Sequence, residues 1–360
     1  MNRTVLITDI TSYKAVVIAR YLRRRYPDLR LVATDHRQTA SWLRTRHVAE
    51  VEVVPAPPKA GQAYAEAIAD VMRRHHADIL IPVNSEEIRV LSAHRGLLGD
   101  ALGWMGSEEI YRRLDDKSEF ASLLQRARLP HPQTHSTAHA PLPLVVKPKL
   151  GSSAAGLVYL HTEDDRTRFI ERFGDAPADC VIQDYFQGEG IGYSGFVREG
   201  RVLVGYGHRR VAEYPVTGGS SVVRERYPYG DVEALRALVE RVLEVAPWSG
   251  FVMFEFKRNA YGQFVFIECN PRIWGSIHQG LADGVNYFEP LLGPPQATGR
   301  IEGCDRTSLS PLDLVAMAGY LRRGDFGKIG TYLAGLGTTR MDINPFSDPL
   351  GYAALLTRGG

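Results

Sequence analysis

Lys147 and the segment that follows it are the first residues whose types and spacing could do chemistry. A strand-like run at 144–148 contains this lysine, and the loop after it includes Gly151, Ser152 and Ser153. Small residues allow backbone N–H groups to approach a polyphosphate closely, and serine hydroxyls add further donors. The loop is not a Walker A motif, because no Lys-Ser/Thr pair follows its second glycine. The pattern therefore indicates a phosphate-binding loop, with an ordinary surface turn as the alternative.

A second group of polar residues lies on two strand-like runs that flank a turn. Glu255 stands between two phenylalanines, and Glu268 precedes a cysteine and Asn270. The segment 258–262 is typical of a hairpin turn, so the two runs should pair and bring the three oxygen-bearing side chains together. Carboxylate and amide oxygens suit Mg²⁺. This pattern predicts a metal site, with two solvent-facing glutamates on an edge hairpin as the alternative.

A third group combines arginines with a glycine pair. Arg209 and Arg210 precede Gly218 and Gly219, and Arg224 follows. Arginine side chains can bind carboxylates through two parallel hydrogen bonds, and the glycines predict a tight or mobile turn. These five residues are candidates for contact with a substrate. The alternative is a loop with solvated arginines.

Taken in order, these motifs resemble the ATP-grasp superfamily, and more closely its carbamoyl-phosphate-synthase-like carboxylate–amine ligases. The similarity covers roughly residues 1–293, and its most specific motif is ECNPR at 268–272. It also includes Lys117 and the stretch QDYFQGE at 183–189. The run that follows Arg272 differs from that of the synthases, which favours a different substrate.

The resemblance implies that ATP and Mg²⁺ are the cofactors. Lys117 and Lys147 would contact the ATP phosphates from two sides, and Glu189 would bind the ribose hydroxyls. The hinge that holds adenine, partly through backbone groups, would consist of Gln183, Asp184, Tyr185 and Phe186.

The resemblance also implies the roles nearest the chemistry. Glu255, Glu268 and Asn270 would hold one or two Mg²⁺ ions. Arg272 would neutralise charge on the γ-phosphate and on an acyl phosphate, so Arg272 and Lys147 are the candidate catalytic residues. Loops similar to the one that contains Arg209 and Arg210 lie over the acceptor site in this family.

The elements that position these residues indicate a mixed α/β and α+β chain with an ATP-grasp fold. Strands alternate with helices before residue 100, which predicts parallel βαβ units in a doubly wound pre-ATP-grasp domain. The strand-like runs there are 4–9, 30–35, 51–54 and 78–83, and the helix-like segments are 13–25, 61–75 and 85–99. A helix at 106–128 and a linker at 130–143 should follow. The predicted parts are 1–105 (N-terminal domain), 106–190 (first ATP-grasp lobe), 191–293 (second lobe with the metal site) and 294–360 (small C-terminal helical tail).

Composition narrows the class of protein further. The 360 residues carry a net charge of only +2, which does not favour nucleic acid as a partner. No run approaches 18 consecutive apolar residues, and no signal peptide is recognisable, so we expect a cytoplasmic protein without a membrane partner. The three cysteines are widely spaced and form no metal-ligand set.

The sequence therefore predicts an ATP-grasp ligase that forms a carbon–nitrogen bond. A small-molecule carboxylate would react with ATP to give an acyl phosphate, and an amine would attack to give an amide or a dipeptide-like product. A homodimer is possible. The alternatives are a carboxylase-type or carbamoyl-phosphate-synthase-like enzyme and a non-catalytic ATP-binding sensor. For the carboxylase alternative, no Ala-Met-Lys-Met carrier motif is present. A carbamoyl-phosphate synthase needs a second synthetase half and a glutaminase partner, so one copy of this length fits that enzyme poorly.

Overall fold

A four-stranded parallel sheet forms the N-terminal part of the protein. The computed structural model describes residues 3–151, 156–297 and 303–357. The first elements are β1 (Thr4–Ile7), α1 (Tyr13–Arg25), β2 (Arg30–Asp35), β3 (Glu50–Val53), α2 (Pro57–Ala60), α3 (Gln62–His75), β4 (Ile79–Ile81) and α4 (Ser85–Ala93).

The strand order β3-β2-β1-β4 and the alternation of side chains along β1 create two apolar faces. Leu6 packs on one face with Tyr64 of α3, whereas Val5 and Ile7 pack on the other face with Val16 of α1. Helices thus cover both sides of a parallel sheet, which confirms the predicted doubly wound arrangement.

The predicted helix at 106–128 is two helices in the structure, α5 (Glu108–Asp115) and α6 (Lys117–Arg126). Asp116 has extended backbone angles and caps α6, because its Oδ1 accepts hydrogen bonds from the backbone N–H groups of Ser118 at 2.8 Å and Glu119 at 3.0 Å. This interruption makes Lys117 the first residue of α6.

A four-stranded antiparallel sheet follows and is crossed by one helix. Its elements are β5 (Thr134–His135), β6 (Leu144–Pro148), β7 (Val158–Leu160), α7 (Glu163–Phe173) and β8 (Cys180–Asp184). The strand order is β5-β8-β6-β7, which places β6 in the centre of the sheet. Leu144 and Val146 of β6 pack in a small core with Phe169 of α7.

The next segment supplies most of a second antiparallel sheet. Its elements are β9 (Glu189–Arg198), β10 (Arg201–Tyr214), β11 (Ser220–Arg226), α8 (Tyr229–Val245), β12 (Gly250–Arg258), β13 (Phe264–Asn270), α9 (Ile277–Ala282) and α10 (Glu289–Leu292). Leu235 and Val239 of α8 pack in one core with Tyr193 of β9 and Phe254 of β12. The sequence prediction lacked β11, which pairs with β10 where a loop was expected.

The C-terminal segment is mostly helical, as predicted, but it also extends this sheet. It contains β14 (Arg306–Ser308), α11 (Leu312–Arg322), α12 (Phe326–Ala334), β15 (Arg340–Met341) and α13 (Pro349–Thr357). The seven strands then run in the order β13-β12-β9-β10-β11-β14-β15. Within the described ranges, no helix combines the length and apolarity that a membrane crossing requires.

A buried ion pair fastens the C-terminal segment to the second sheet. Arg224 of β11 is fully buried, and its Nη1 donates to both carboxylate oxygens of Asp342 at 2.7 Å. His278 of α9 lies on the same carboxylate, with 2.8 Å between its Nδ1 and Asp342 Oδ1. Burial would raise the pKa of Asp342, but Arg224 and His278 lower it below its usual value.

The substitution Asp342→Asn should destabilise the protein strongly, because it leaves the buried charge of Arg224 without a counter-ion. We expect the free energy of unfolding to fall by about 3–5 kcal/mol in a denaturant titration. The control is Asp305→Asn, which removes an exposed partner of Arg226 and should cost about 0–1 kcal/mol. Equal losses from the two substitutions would contradict the assigned role of the buried pair.

Candidate active site

Both antiparallel sheets and the C-terminal helices line one cavity of about 950 Å³. The strands β6 and β8 contribute one wall, and β10, β12 and β13 contribute the facing wall. Residues of α11 and α12 close a further side. Most of the sequence-predicted site residues line this cavity: Lys117, Lys147, Gly151, Gln183, Asp184, Tyr185, Phe186, Glu189, Arg209, Arg210, Gly218, Gly219, Glu255 and Glu268.

The two predicted phosphate-binding lysines approach the cavity from different elements. Lys117 at the start of α6 donates from Nζ to the Gly151 carbonyl at 3.0 Å, and its Nζ lies 3.6 Å from Glu268 Oε2. Lys147 on β6 donates from Nζ to the Ile267 carbonyl at 3.1 Å. Burial lowers the pKa of Lys147 to about 8. An anionic ligand would favour the protonated form of this side chain.

Glu255 and Glu268 stand directly opposite each other on β12 and β13, which is the pairing that the hairpin pattern predicts. Burial and the charge of Glu268 raise the pKa of Glu255 to about 7. Burial acts in the same direction on Glu268, but Lys117 and Lys147 lower its pKa below the usual value. The site thus contains two carboxylates that repel each other, with Lys117 and Lys147 close to one of them.

Asn270 and Arg272 lie behind this carboxylate pair and are not among the residues that line the cavity. Asn270 Nδ2 donates to Glu268 Oε1 at 3.0 Å, and Asn270 Oδ1 accepts from Arg272 Nη2 at 2.5 Å. Arg272 Nε also donates to Ser85 Oγ at 2.6 Å. Arg272 is therefore linked to Glu268 by hydrogen bonds through Asn270, and it connects the hairpin to the N-terminal domain.

The predicted adenine hinge spans the end of β8. Gln183 is buried, and its Nε2 donates to Thr134 Oγ1 at 3.2 Å. Lys257 donates from Nζ to the Phe186 carbonyl at 2.8 Å and lies 5.1 Å from the centre of the Tyr185 ring. Tyr185 also makes an edge contact with Tyr159. These contacts hold the hinge against β12 across the cavity.

Three further predictions for the nucleotide side have different outcomes. Asp184 lines the cavity, but its Oδ1 lies 2.6 Å from His135 Nε2. Glu189 lines the cavity at the start of β9, with 3.8 Å between its Oε1 and Arg209 Nη1. Ser152 and Ser153 lie outside the described residues.

The arginine-rich segment is a hairpin whose central contact is Arg210. Its Nη1 donates to Glu255 Oε2 at 3.0 Å, its Nε lies 3.2 Å from Glu213 Oε1, and its Nη2 donates to the Gly219 carbonyl. Gly219 admits no side chain, because a Cβ there would lie 2.1 Å from backbone atoms of Tyr214 and the following proline. Arg210 thus ties the turn at 215–219 to the predicted metal ligands. We call this turn the acceptor-side turn, after the role that the family resemblance predicts for it.

Arg224 is the one member of the predicted substrate set that the structure keeps away from the cavity. It is fully buried in the ion pair with Asp342 and does not line the cavity. Its side chain lies in the core between the sheet and the C-terminal segment, and a loop predicted from the sequence could not reveal this burial.

Several cavity residues were not found from the sequence. Glu213 faces the same side as Arg210 because the β10–β11 ladder has register shifts around Ala212, which break the two-residue alternation. The sequence carried no signal for the C-terminal contributors, since only tertiary packing brings them to the site: Tyr320, Arg323, Asp325, Gly327, Lys328 and Thr331.

Comparison with known proteins gives the class to which this fold and site belong. Residues 114–276 match the family model described as ATP-grasp domain. This segment, which is a little less than half of the chain, is therefore an ATP-grasp domain, as the motifs predicted. ATP with Mg²⁺ is typical of this class. No curated protein matches the chain.

Solved structures share the fold at low sequence identity. The biotin carboxylase domain of Hydrogenobacter thermophilus 2-oxoglutarate carboxylase, solved with MgADP, ADP and bicarbonate, is 16% identical with a TM-score of 0.63, covering 85% of this chain and 73% of that chain. L-amino acid ligase from Bacillus licheniformis is 16% identical with a TM-score of 0.61, and the match covers 85% of this chain and 78% of the ligase chain. N5-carboxyaminoimidazole ribonucleotide synthetase from Thermotoga maritima is 13% identical with a TM-score of 0.59, covering 84% and 79%. These likenesses show a common fold.

The substitution Lys147→Ala should weaken ATP binding. A charge-assisted hydrogen bond contributes about 1.5–3 kcal/mol, which corresponds to a roughly 10- to 150-fold rise in the Kd measured by calorimetry. The control is Lys149→Ala, which removes a lysine two positions away that does not line the cavity. A Kd that stays unchanged in Lys147→Ala, or rises equally in both variants, would contradict the assignment.

ATP affinity should also fall as the pH rises above about 8. The lowered pKa of Lys147 means that the free protein loses this positive charge in that range, and the nucleotide must then be bound with uptake of a proton. In Lys147→Arg, whose guanidinium stays protonated, calorimetry between pH 7 and pH 9.5 should show a flatter profile. Profiles of equal slope would rule out titration of Lys147 as the cause.

Proposed function

We propose that this chain is an ATP-dependent carboxylate–amine ligase that forms an amide or peptide bond and releases ADP and phosphate. The observation that carries the proposal is the convergence of Lys117, Lys147, Glu255 and Glu268 on one cavity. Phosphoryl transfer to a carboxylate depends on positioning and on charge neutralisation, and it needs little covalent help from the protein. Cationic side chains beside a pair of metal-binding carboxylates fit that requirement.

The residues at the hairpin fit Mg²⁺. Glu255 and Glu268 are opposed and half-buried, and burial together with the charge of Glu268 raises the pKa of Glu255. A divalent cation would stabilise both ionised carboxylates. Asn270 Oδ1 accepts one hydrogen bond from Arg272, so the second lone pair of this oxygen would be available to coordinate the metal. Bound there, Mg²⁺ would neutralise charge that develops on the phosphate oxygens.

The hinge fits the adenine of ATP. The Nε2 group of Gln183 donates a hydrogen bond to Thr134 Oγ1. The buried Oε1 of Gln183 has no hydrogen-bond partner among the residues that the structure describes. A buried carbonyl oxygen of this kind requires a donor. The exocyclic amino group of adenine is a donor of the right kind, and Tyr185 and Phe186 supply apolar surface beside it.

The proposed reaction has two steps that share the phosphate-binding groups. A carboxylate oxygen first bonds to the γ-phosphorus as the bond to the bridging oxygen of ADP breaks. The amine nitrogen then attacks the carbonyl carbon, the bond from that carbon to the phosphate oxygen breaks, and a proton leaves the nitrogen. Lys117 and Lys147 would hold the phosphate oxygens in both steps. Arg210 reaches Glu255 from the acceptor side and would position the incoming carboxylate.

The carboxylase-type alternative differs in substrate. In that reaction bicarbonate is the carboxylate, so the choice depends on which molecule stimulates ADP release. A screen of carboxylates and bicarbonate, each with and without amines, tests the proposal. ADP release that requires an organic carboxylate and an amine supports the ligase. Stimulation by bicarbonate alone would support the carboxylase, and no release with any combination would favour a sensor.

The substitution Glu268→Gln should lower Mg²⁺-dependent ADP release by orders of magnitude, because it removes one charge of the proposed metal clamp. The fold should survive, since glutamine keeps the shape and can still contact Asn270. Circular dichroism checks the fold, and Glu244→Gln on the exposed surface of α8 serves as the matched control. A near-normal rate in Glu268→Gln would rule out this residue as a ligand.

A further inference from the structure

The cavity extends past the predicted nucleotide and metal groups to a wall made by the C-terminal helices. Tyr320 of α11 is buried, and its hydroxyl accepts a hydrogen bond from the Glu213 backbone N–H at 3.1 Å. Lys328 of α12 donates from Nζ to the Val211 carbonyl at 2.9 Å. A Cβ on Gly319 would lie 2.9 Å from Val216. These contacts hold α11 and α12 against β10 and the acceptor-side turn. The two helices therefore form an ordered wall of the cavity.

This wall carries charges of both signs. Arg323 directly follows α11, is exposed to solvent and lines the cavity, and it has no ion-pair or side-chain hydrogen-bond partner within the described part of the chain. Asp325 also lines the cavity, where its Oδ1 accepts from the Lys328 backbone N–H at 3.1 Å and its second oxygen remains for another donor. Glu213 of β10 is the second acidic side chain that lines this part of the cavity. Because Glu213 and Asp325 line the same cavity as this arginine, the wall suits a zwitterion better than a polyanion such as a phosphorylated substrate.

The positions of these charges give the ligand a direction. Glu213 is joined through Arg210 to Glu255, so it lies on the side of the predicted metal ligands. Arg323 belongs to the C-terminal wall. An amine that attacks an acyl phosphate must point towards the metal side, and any carboxylate on the same molecule then points towards the wall.

We propose that the C-terminal helices form the subsite for an α-amino acid that reacts through its amino group, with Arg323 binding its free carboxylate and Glu213 facing its amino group. This inference rests on the proposed ligase function and names the class of its amine substrate. The planar guanidinium of Arg323 matches a carboxylate with two parallel hydrogen bonds.

The first test compares amino acids with their amides, such as glycine with glycinamide, as amine substrates in the ADP-release assay. The wild type should favour the amino acid. Arg323→Ala should raise the KM for the amino acid about 10- to 100-fold, leave the KM for ATP unchanged, and remove the preference over the amide. The matched control is Arg322→Ala, an exposed arginine one position away that does not line the cavity, and it should behave as the wild type. Retention of the preference in Arg323→Ala would overturn the inference.

A binding assay separates this inference from the proposed function. Calorimetry with the 20 common amino acids, in the presence of Mg²⁺ and a non-hydrolysable ATP analogue, needs no turnover. An amino acid that binds the wild type and Arg322→Ala, but at least tenfold more weakly to Arg323→Ala, supports the subsite even if ADP release fails. Binding of no amino acid to the wild type, or equal binding to Arg323→Ala, would overturn the subsite while leaving a ligase that uses other amines.

Discussion

The repulsion between Glu255 and Glu268 is the constraint on which the site depends. The hairpin of β12 and β13 sets the two carboxylates opposite each other, and burial makes their charges costly. Cationic groups from three separate parts of the chain offset this cost: Lys117 and Lys147 act on Glu268, and Arg210 acts on Glu255. A divalent metal would complete the neutralisation. The paired carboxylates that are electrostatically costly in the free protein would therefore favour binding of a metal-bound nucleotide.

The surrounding elements are arranged to hold these charges in place. Asp116 interrupts what would be a continuous helix, and this interruption starts α6 at Lys117. Asn270 and Arg272 link Glu268 to Ser85 in the N-terminal domain. Arg210 connects the carboxylate pair to the turn on the acceptor side, and the C-terminal helices pack on that turn. The chemistry proposed for the cavity thus depends on contacts with every part of the fold.

Local patterns predicted much of this arrangement, and long-range packing decided the rest. The pairing of Glu255 with Glu268 could be predicted, because apolar alternation and a hairpin turn specify which residues face each other. The grouping of Arg210 with Glu213 could not, since an irregular register changes which side chains share a face. Arg323 joins the site only through packing of α11 on β10. Arg224 has the type expected of a substrate-binding residue, but Asp342, 118 positions later, holds it in the core.

The central claim is that the cavity transfers the γ-phosphoryl group of ATP to a carboxylate. It is tested most directly with a carboxylate substrate labelled with ¹⁸O in both oxygens, followed by ³¹P NMR of the products. Formation of an acyl phosphate and its attack by the amine would leave one labelled oxygen in inorganic phosphate, with unlabelled ADP as the second product. Label in AMP, together with release of pyrophosphate, would show adenylation of the carboxylate and would contradict the account.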